Sequence, residues 1–147
     1  MASSDLCPCG RLDGRRRPLA WVDCCGRFVD HFDHQPAPDA ESLMRSRYSA
    51  FVLQRSDYLL VTWHPDTRPA SLDLEPAPHW LGLEVRGHWP DGDRAQVEFV
   101  ARYREQGRAV RLHERSRFVR ETRIDAGGPG LPRWYYVAGE FPAGRSS

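Results

Sequence analysis

The sequence predicts an α+β fold, with a cysteine-rich N-terminal segment, then helices, then an antiparallel sheet that the helices cover on one face. Three observations carry that expectation. Four cysteines fall within the first 25 residues. Apolar residues recur at spacings of three and four between residues 39 and 54. From residue 79 onward the period changes to two.

Residues 1–37 are rich in Cys, Gly, Arg and Pro and have no sustained periodicity, which suits a metal-organised segment and a connector closed by Pro36-Ala-Pro38. Residues 38–147 form the second segment. Within it, Asp39 is placed to cap a helix over 39–54, whose apolar face is Leu43, Met44, Tyr48, Phe51 and Val52, with Arg47 as the polar exception. A short helix over 56–63 follows and stops at Pro65. Pro65, Pro69, Pro76 and Pro78 mark a connection. The alternating runs are Leu81 to Val85, Val97 to Tyr103 and Val110 to Phe118, separated by turns at 90–93 and 105–107. Gly127-Gly-Pro-Gly130 is read as a loop before a last strand over 133–137. Because the second segment has its own apolar pattern, metal removal is expected to unfold only the first roughly 35 residues.

The whole chain of 147 residues has the size of one domain, long enough to bury a core without disulfides. Its formal net charge is +1, so bulk charge does not select a polyanionic partner. All 21 basic residues are arginine. No run approaches the roughly 18 apolar residues of a membrane span. The start has neither a basic nor an apolar leader region, so a cytoplasmic location is expected, with reduced thiols and no membrane association. No phosphate-binding loop or Gly-x-Ser-x-Gly elbow is present.

Cys7 and Cys9 lie one residue apart, and Cys24 and Cys25 are adjacent. Two tight thiolate pairs can surround one Zn²⁺ tetrahedrally, and Gly10 and Gly26 let the backbone turn after each pair. Disulfides are disfavoured by the compartment, and a bond between the neighbours Cys24 and Cys25 by geometry. His31 and His34 are nearby and are read as solvated. The expected cofactor is therefore structural zinc held by Cys7, Cys9, Cys24 and Cys25.

These residues carry a resemblance. Cys7-Pro-Cys9-Gly with Cys24-Cys25-Gly resembles the SEC-C zinc knuckle, also found at the tail of the secretion ATPase SecA. Leu43-Met-Arg-Ser-Arg-Tyr-Ser-Ala-Phe51, Trp63-His-Pro65 and Leu112-His-Glu-Arg-Ser-Arg-Phe118 resemble the YchJ family of uncharacterised bacterial proteins. The resemblance implies an SEC-C knuckle in front of a cone-shaped nuclear transport factor 2-like (NTF2-like) domain, whose helices pack on the concave face of its curved sheet. It also implies a protein partner. The fourteen residues between Cys9 and Cys24, including Arg15-Arg-Arg17, exceed the usual SEC-C spacing. Closing a longer loop costs only about 0.6 kcal/mol per doubling, so the metal site is expected to tolerate it.

Two polar breaks point to the interior. Arg47 interrupts the apolar helix face, and Glu114 and Ser116 interrupt the strand face of Val110, Leu112 and Phe118. Burial without a partner is costly, so Arg47 is expected to pair with Glu114, either as a core device or in a cavity with Tyr48, Tyr58, Tyr103 and Ser116. His64 is read as a loop histidine stacked on Trp63, and His113 as facing away from Glu114. Arg102, Arg104, Arg111, Arg115 and Arg117 share the other sheet face, which is either ion-paired with glutamates or a surface for nucleic acid. Three function classes follow. They are a protein-interaction adaptor using the knuckle, a small-ligand or enzymatic cavity protein, and a nucleic-acid binder; a non-enzymatic adaptor is the leading reading.

Overall fold

The fold is known from a computed structural model, which describes residues 5–75, 77–123 and 131–142. Gly127 to Gly130 lie outside the described residues. A 3-10 turn over Trp21–Asp23 precedes three α-helices, α1 (Gly26–Val29), α2 (Ala40–Val52) and α3 (Ser56–Val61). Four strands follow, β1 (His79–Asp91), β2 (Arg94–Glu105), β3 (Arg108–Thr122) and β4 (Pro132–Glu140). They form one open antiparallel sheet in sequence order. The expected α+β order holds.

Local chemistry sets the boundaries. The Asp39 carboxylate accepts the Ser42 N–H at 2.7 Å and caps α2. The β2–β3 turn is Gln106-Gly107, both at positive φ, as a two-residue hairpin turn with right-handed twist requires. The β1–β2 turn narrows to Gly92-Asp93, because Pro90 and Asp91 still pair with Ala95 and Arg94. Helix α3 ends at Val61, earlier than the 56–63 expected. The reason is tertiary. Residues 62–64 run alongside β4, with the His64 N–H donating to the Tyr136 carbonyl and the Tyr136 N–H to the Thr62 carbonyl, both at 2.8 Å.

Helix α2 organises the interior. Nine of its thirteen residues are buried, far more than one amphipathic face supplies. Met44, Arg47 and Tyr48 face the cavity beneath the helix, which Phe99, Ala101 and Leu112 of the sheet also line. Ser46 meets the Tyr58 hydroxyl of α3 at 2.7 Å. Ser42 and Ser49 face the cysteine segment, where Arg11 donates to Ser42 Oγ at 2.9 Å and Ser49 Oγ lies 3.6 Å from Cys7 Sγ. The three serines are therefore contact points, small enough to admit neighbours and polar enough to bond them.

The cysteine segment shares this core. Cys7, Cys9, Trp21, Cys24, Cys25, Phe28 and Val29 belong to the same buried cluster as Leu43, Tyr58, Val97 and Phe118. Guanidinium groups fasten it at four places. Besides Arg11, Arg45 donates to the Cys9 carbonyl, Arg55 reaches Asp30 and the Val29 carbonyl, and Arg133 donates to the carbonyls of Phe32 and Asp33. A forked planar cation can span two acceptors on separate segments, which an ammonium does less well.

Two substitutions gauge these contributions. Leu59, fully buried in α3, should cost about 2–5 kcal/mol as Leu59→Ala. Asp39→Ala should cost only about 1 kcal/mol, the value of one cap. Urea unfolding of the two variants checks both the sizes and their order.

Candidate functional site

The N-terminal segment brings its four sulfurs together through short-range geometry. Cys7 lies where the chain pairs back on itself, its N–H donating to the Leu19 carbonyl at 2.9 Å. Gly10, at φ +74°, then reverses the path, a conformation that favours glycine. Cys24 and Cys25 sit at the start of α1, where a side chain at Gly26 would strike the Trp21 carbonyl at 2.6 Å. The four Sγ atoms all lie within 4.8 Å of one another. Cys7 to Cys9 is 3.7 Å and Cys9 to Cys24 is 3.6 Å. A tetrahedron with bonds of about 2.3 Å has edges of about 3.8 Å, so the thiols already stand near the corners a tetrahedral ion requires. Hydrogen bonds from the thiols of Cys24 and then Cys25 draw Cys9 down to about 7 against the effect of burial. The Cys24 and Cys25 thiols are pushed up in the same exchange, so a cation that binds here displaces protons held by the cluster. All four side chains are buried. His31 and His34 stand outside, their rings 5.4 Å apart and tilted by 56°, with His34 on Asp33.

Beneath α2 lies a cavity of about 230 Å³. Of the six residues singled out in the sequence, Arg47, Tyr48, Glu114 and Ser116 line it, and Tyr58 and Tyr103 do not. Tyr58 turns into the α2–α3 contact, where Ser46 bonds it. Tyr103 lies behind Trp80, whose ring is 5.2 Å from it and 5.4 Å from Tyr48. The expected Arg47–Glu114 ion pair does not form. Arg47 Nη1 instead donates to the Leu59 carbonyl and to Thr62 Oγ1, each at 2.8 Å, at the open C-terminal end of α3. Its guanidinium lies over the rings of Tyr136 and Trp63, at 4.6 and 5.2 Å. Burial lowers it to about 10, which leaves it charged at neutral pH. Glu114 Oε2 accepts from Ser116 Oγ at 2.7 Å and from the Tyr136 hydroxyl at 3.4 Å. Tyr136 thus stands between the two charges, and burial, helped by Glu114, keeps its phenol protonated, near 12. A side chain at Gly139 would overlap the Glu114 carboxylate.

Sequence reasoning missed Trp63, Trp80, Tyr136 and Gly139. Only the strand alternation of Trp134, Tyr135 and Tyr136 offered a signal, and the register with β3 was needed to use it.

On the other sheet face, most of the arginines meet glutamates. Arg86 and Arg102 approach Glu84 at 3.1 and 3.6 Å, Arg115 lies 3.0 Å from Glu98, and Arg117 lies 3.9 Å from Glu140. Arg104 and Arg111 form no ion pair among the described residues. His113 faces away from Glu114 and bonds Glu98 at 2.6 Å. His64 is buried rather than stacked on Trp63. Its Nδ1 accepts the Asp66 N–H and its Nε2 reaches Glu121 at 3.0 Å, which ties the 62–64 segment to β3.

Comparison with known proteins agrees with this architecture. Residues 39–139 match a family described as YchJ, middle NTF2-like domain. A UPF0225 protein from Polaromonas sp. (strain JS666) is 60% identical over 91% of both chains. One from Bordetella parapertussis is 52% identical over 95% of this chain and 96% of its own. A crystal structure of a SEC-C motif containing protein from Psychrobacter arcticus superposes with a TM-score of 0.75 at 34% identity, covering 92% of this chain and 82% of that one. The solution structure of a SEC-C motif containing protein from Rhodopseudomonas palustris gives 0.71 at 32% identity, covering 92% and 98%.

Two outcomes follow from the site. Because the cysteine segment and α2 share one core, chelation should lower the melting temperature of the whole chain in a single cooperative transition, contrary to the local unfolding expected from composition. Scanning calorimetry with and without a chelator reads this, and an unchanged main transition would refute it. Hydrogen bonds from His113 and then Arg115 hold the Glu98 carboxyl below its usual 4.5. A depressed carboxyl stabilises the fold above its unfolded value and loses that contribution as pH falls through the folded one. Glu98→Gln should therefore flatten the acid limb of the stability curve below pH 4.5.

Proposed function

This chain belongs to the YchJ family, and we propose that it is a cytoplasmic, non-enzymatic, zinc-braced adaptor that docks a protein partner through its cysteine knuckle. Zinc is favoured because four thiolates near tetrahedral corners suit a borderline-soft d¹⁰ ion. Four protein sulfurs leave no open position for substrate, which makes the metal a brace and directs attention to the surface it holds.

One observation carries the adaptor reading. The insert between the cysteine pairs is a built hairpin tip. Leu12 bridges Pro18, and the Asp13 carboxylate accepts the N–H groups of Arg15 and Arg17 at 2.8 and 3.0 Å. Arg16 is held at φ 62°, and the Asp13 carbonyl accepts its N–H at 3.0 Å. Arg15, Arg16 and Arg17 are exposed and form no ion pair among the described residues. Leu6, Leu12 and Val22 of the same segment are about half exposed or more. An ordered basic tip beside exposed apolar groups suits a protein surface that presents carboxylates around an apolar patch. The paired glutamates on the sheet's arginine face, by contrast, reduce its attraction for phosphates.

Native mass spectrometry should find one zinc per chain, lost in Cys24→Ser. Crosslinking in cells, followed by identification of the partner, should recover a protein that an Arg15→Glu, Arg16→Glu, Arg17→Glu variant loses at unchanged melting temperature. Retention of the same partner by that variant would remove the tip from the reading. Loss of the partner on nuclease treatment would replace it with a nucleic-acid contact.

A further inference from the structure

The cavity beneath α2 carries chemistry that the knuckle does not use. Arg47 is only 6% exposed, yet no carboxylate contacts it among the described residues. Only Nη1 of its three guanidinium nitrogens has an acceptor there, leaving Nε and Nη2 as unused charged donors. A buried cation in this condition is costly unless an acceptor reaches it. Glu114 is the counterpart. Both its hydrogen bonds fall on Oε2, so Oε1 is an unused acceptor in the same cavity. The rest of the wall is mainly aromatic and aliphatic, including Phe51, Trp80, Phe99, Leu112 and Phe118.

Size narrows the occupant. An apolar cavity of about 150 Å³ admits benzene. The 230 Å³ here leaves room for one ring and a few substituent atoms. Tyr136, under Arg47 and bonded to Glu114, sets the two charged groups about one ring apart.

We propose that this cavity binds a single-ring aromatic carboxylate bearing a hydroxyl, with the carboxylate on Arg47, the ring among the aromatic side chains and the hydroxyl donating to Glu114 Oε1. The carboxylate supplies the directly bonded counter-ion that Arg47 lacks, and the hydroxyl is the donor that Glu114 can still accept. Ser116 holds the Glu114 carboxyl in place, and Gly139 leaves the space it occupies.

The test is calorimetric titration of the full, metal-loaded chain with 4-hydroxybenzoate, benzoate and phenol, with tryptophan fluorescence as a second readout because Trp63 and Trp80 line the cavity. We expect saturable 1:1 binding of 4-hydroxybenzoate, weakened about tenfold or more in benzoate and in phenol, since each lacks one charged-group hydrogen bond. Glu114→Gln should erase the advantage over benzoate and leave that over phenol. Arg47 also ties α2 to the end of α3, so Arg47→Met risks misfolding. Ala101→Leu, which fills the cavity from β2, provides the folded control and should abolish binding at unchanged melting temperature. Absence of binding, equal affinity for the three probes, or full affinity in Ala101→Leu would each overturn the proposal.

Discussion

Helix α2 carries the structure because it is packed on every side. A helix against a sheet needs one apolar stripe, and the opposite side ordinarily meets water. Here that opposite side receives the cysteine segment, through Ser42 and Ser49, and α3 takes a third side through Ser46. The cysteine centre therefore lies one helix away from the cavity. Whatever fixes the sulfurs also fixes the surface from which Arg47 and Tyr48 project.

Arginine is the material of that connection. Arg11, Arg45, Arg55 and Arg133 each cross from one segment to another and end on carbonyls, a serine or a carboxylate. Burying a backbone carbonyl without a donor costs on the order of 1–3 kcal/mol, and these forks satisfy several. In this light the lysine-free composition has a structural counterpart, since most of the long-range polar contacts of the N-terminal segment depend on planar, multidentate donors.

What the sequence made legible follows from range. The cysteine centre rests on neighbours in the chain, so spacing and two glycines were enough to read it. The strand alternation and the Asp39 cap are local in the same sense. Arg47 and Glu114 were recognisable as polar breaks in apolar faces, but the ion pair expected between them does not form. The carbonyl of Leu59, left open where α3 stops, took the guanidinium, and Tyr136 came between the charges from the last strand. Tyr58 and Tyr103 were read as cavity residues because their types suited one. Their actual neighbours, Ser46 and Trp80, are fixed by tertiary packing that no periodicity records. The docking of the cysteine segment on α2 was invisible for a related reason, since serine in a helix gives no apolar signal.

The short parallel bridge between Trp63 and Tyr136 has a consequence for life at high concentration. An open sheet ends in two strands whose unpaired amides can recruit another chain. On β4, residues 62–64 occupy part of that row. On β1, the register slips twice, between Trp80 and Gly82 and between Val85 and Gly87, and Pro90 interrupts the donors near its end. One edge is covered and the other is made irregular. The same bridge that ends α3 early thus acts against fibrous self-association, a colloidal role separate from any ligand or partner.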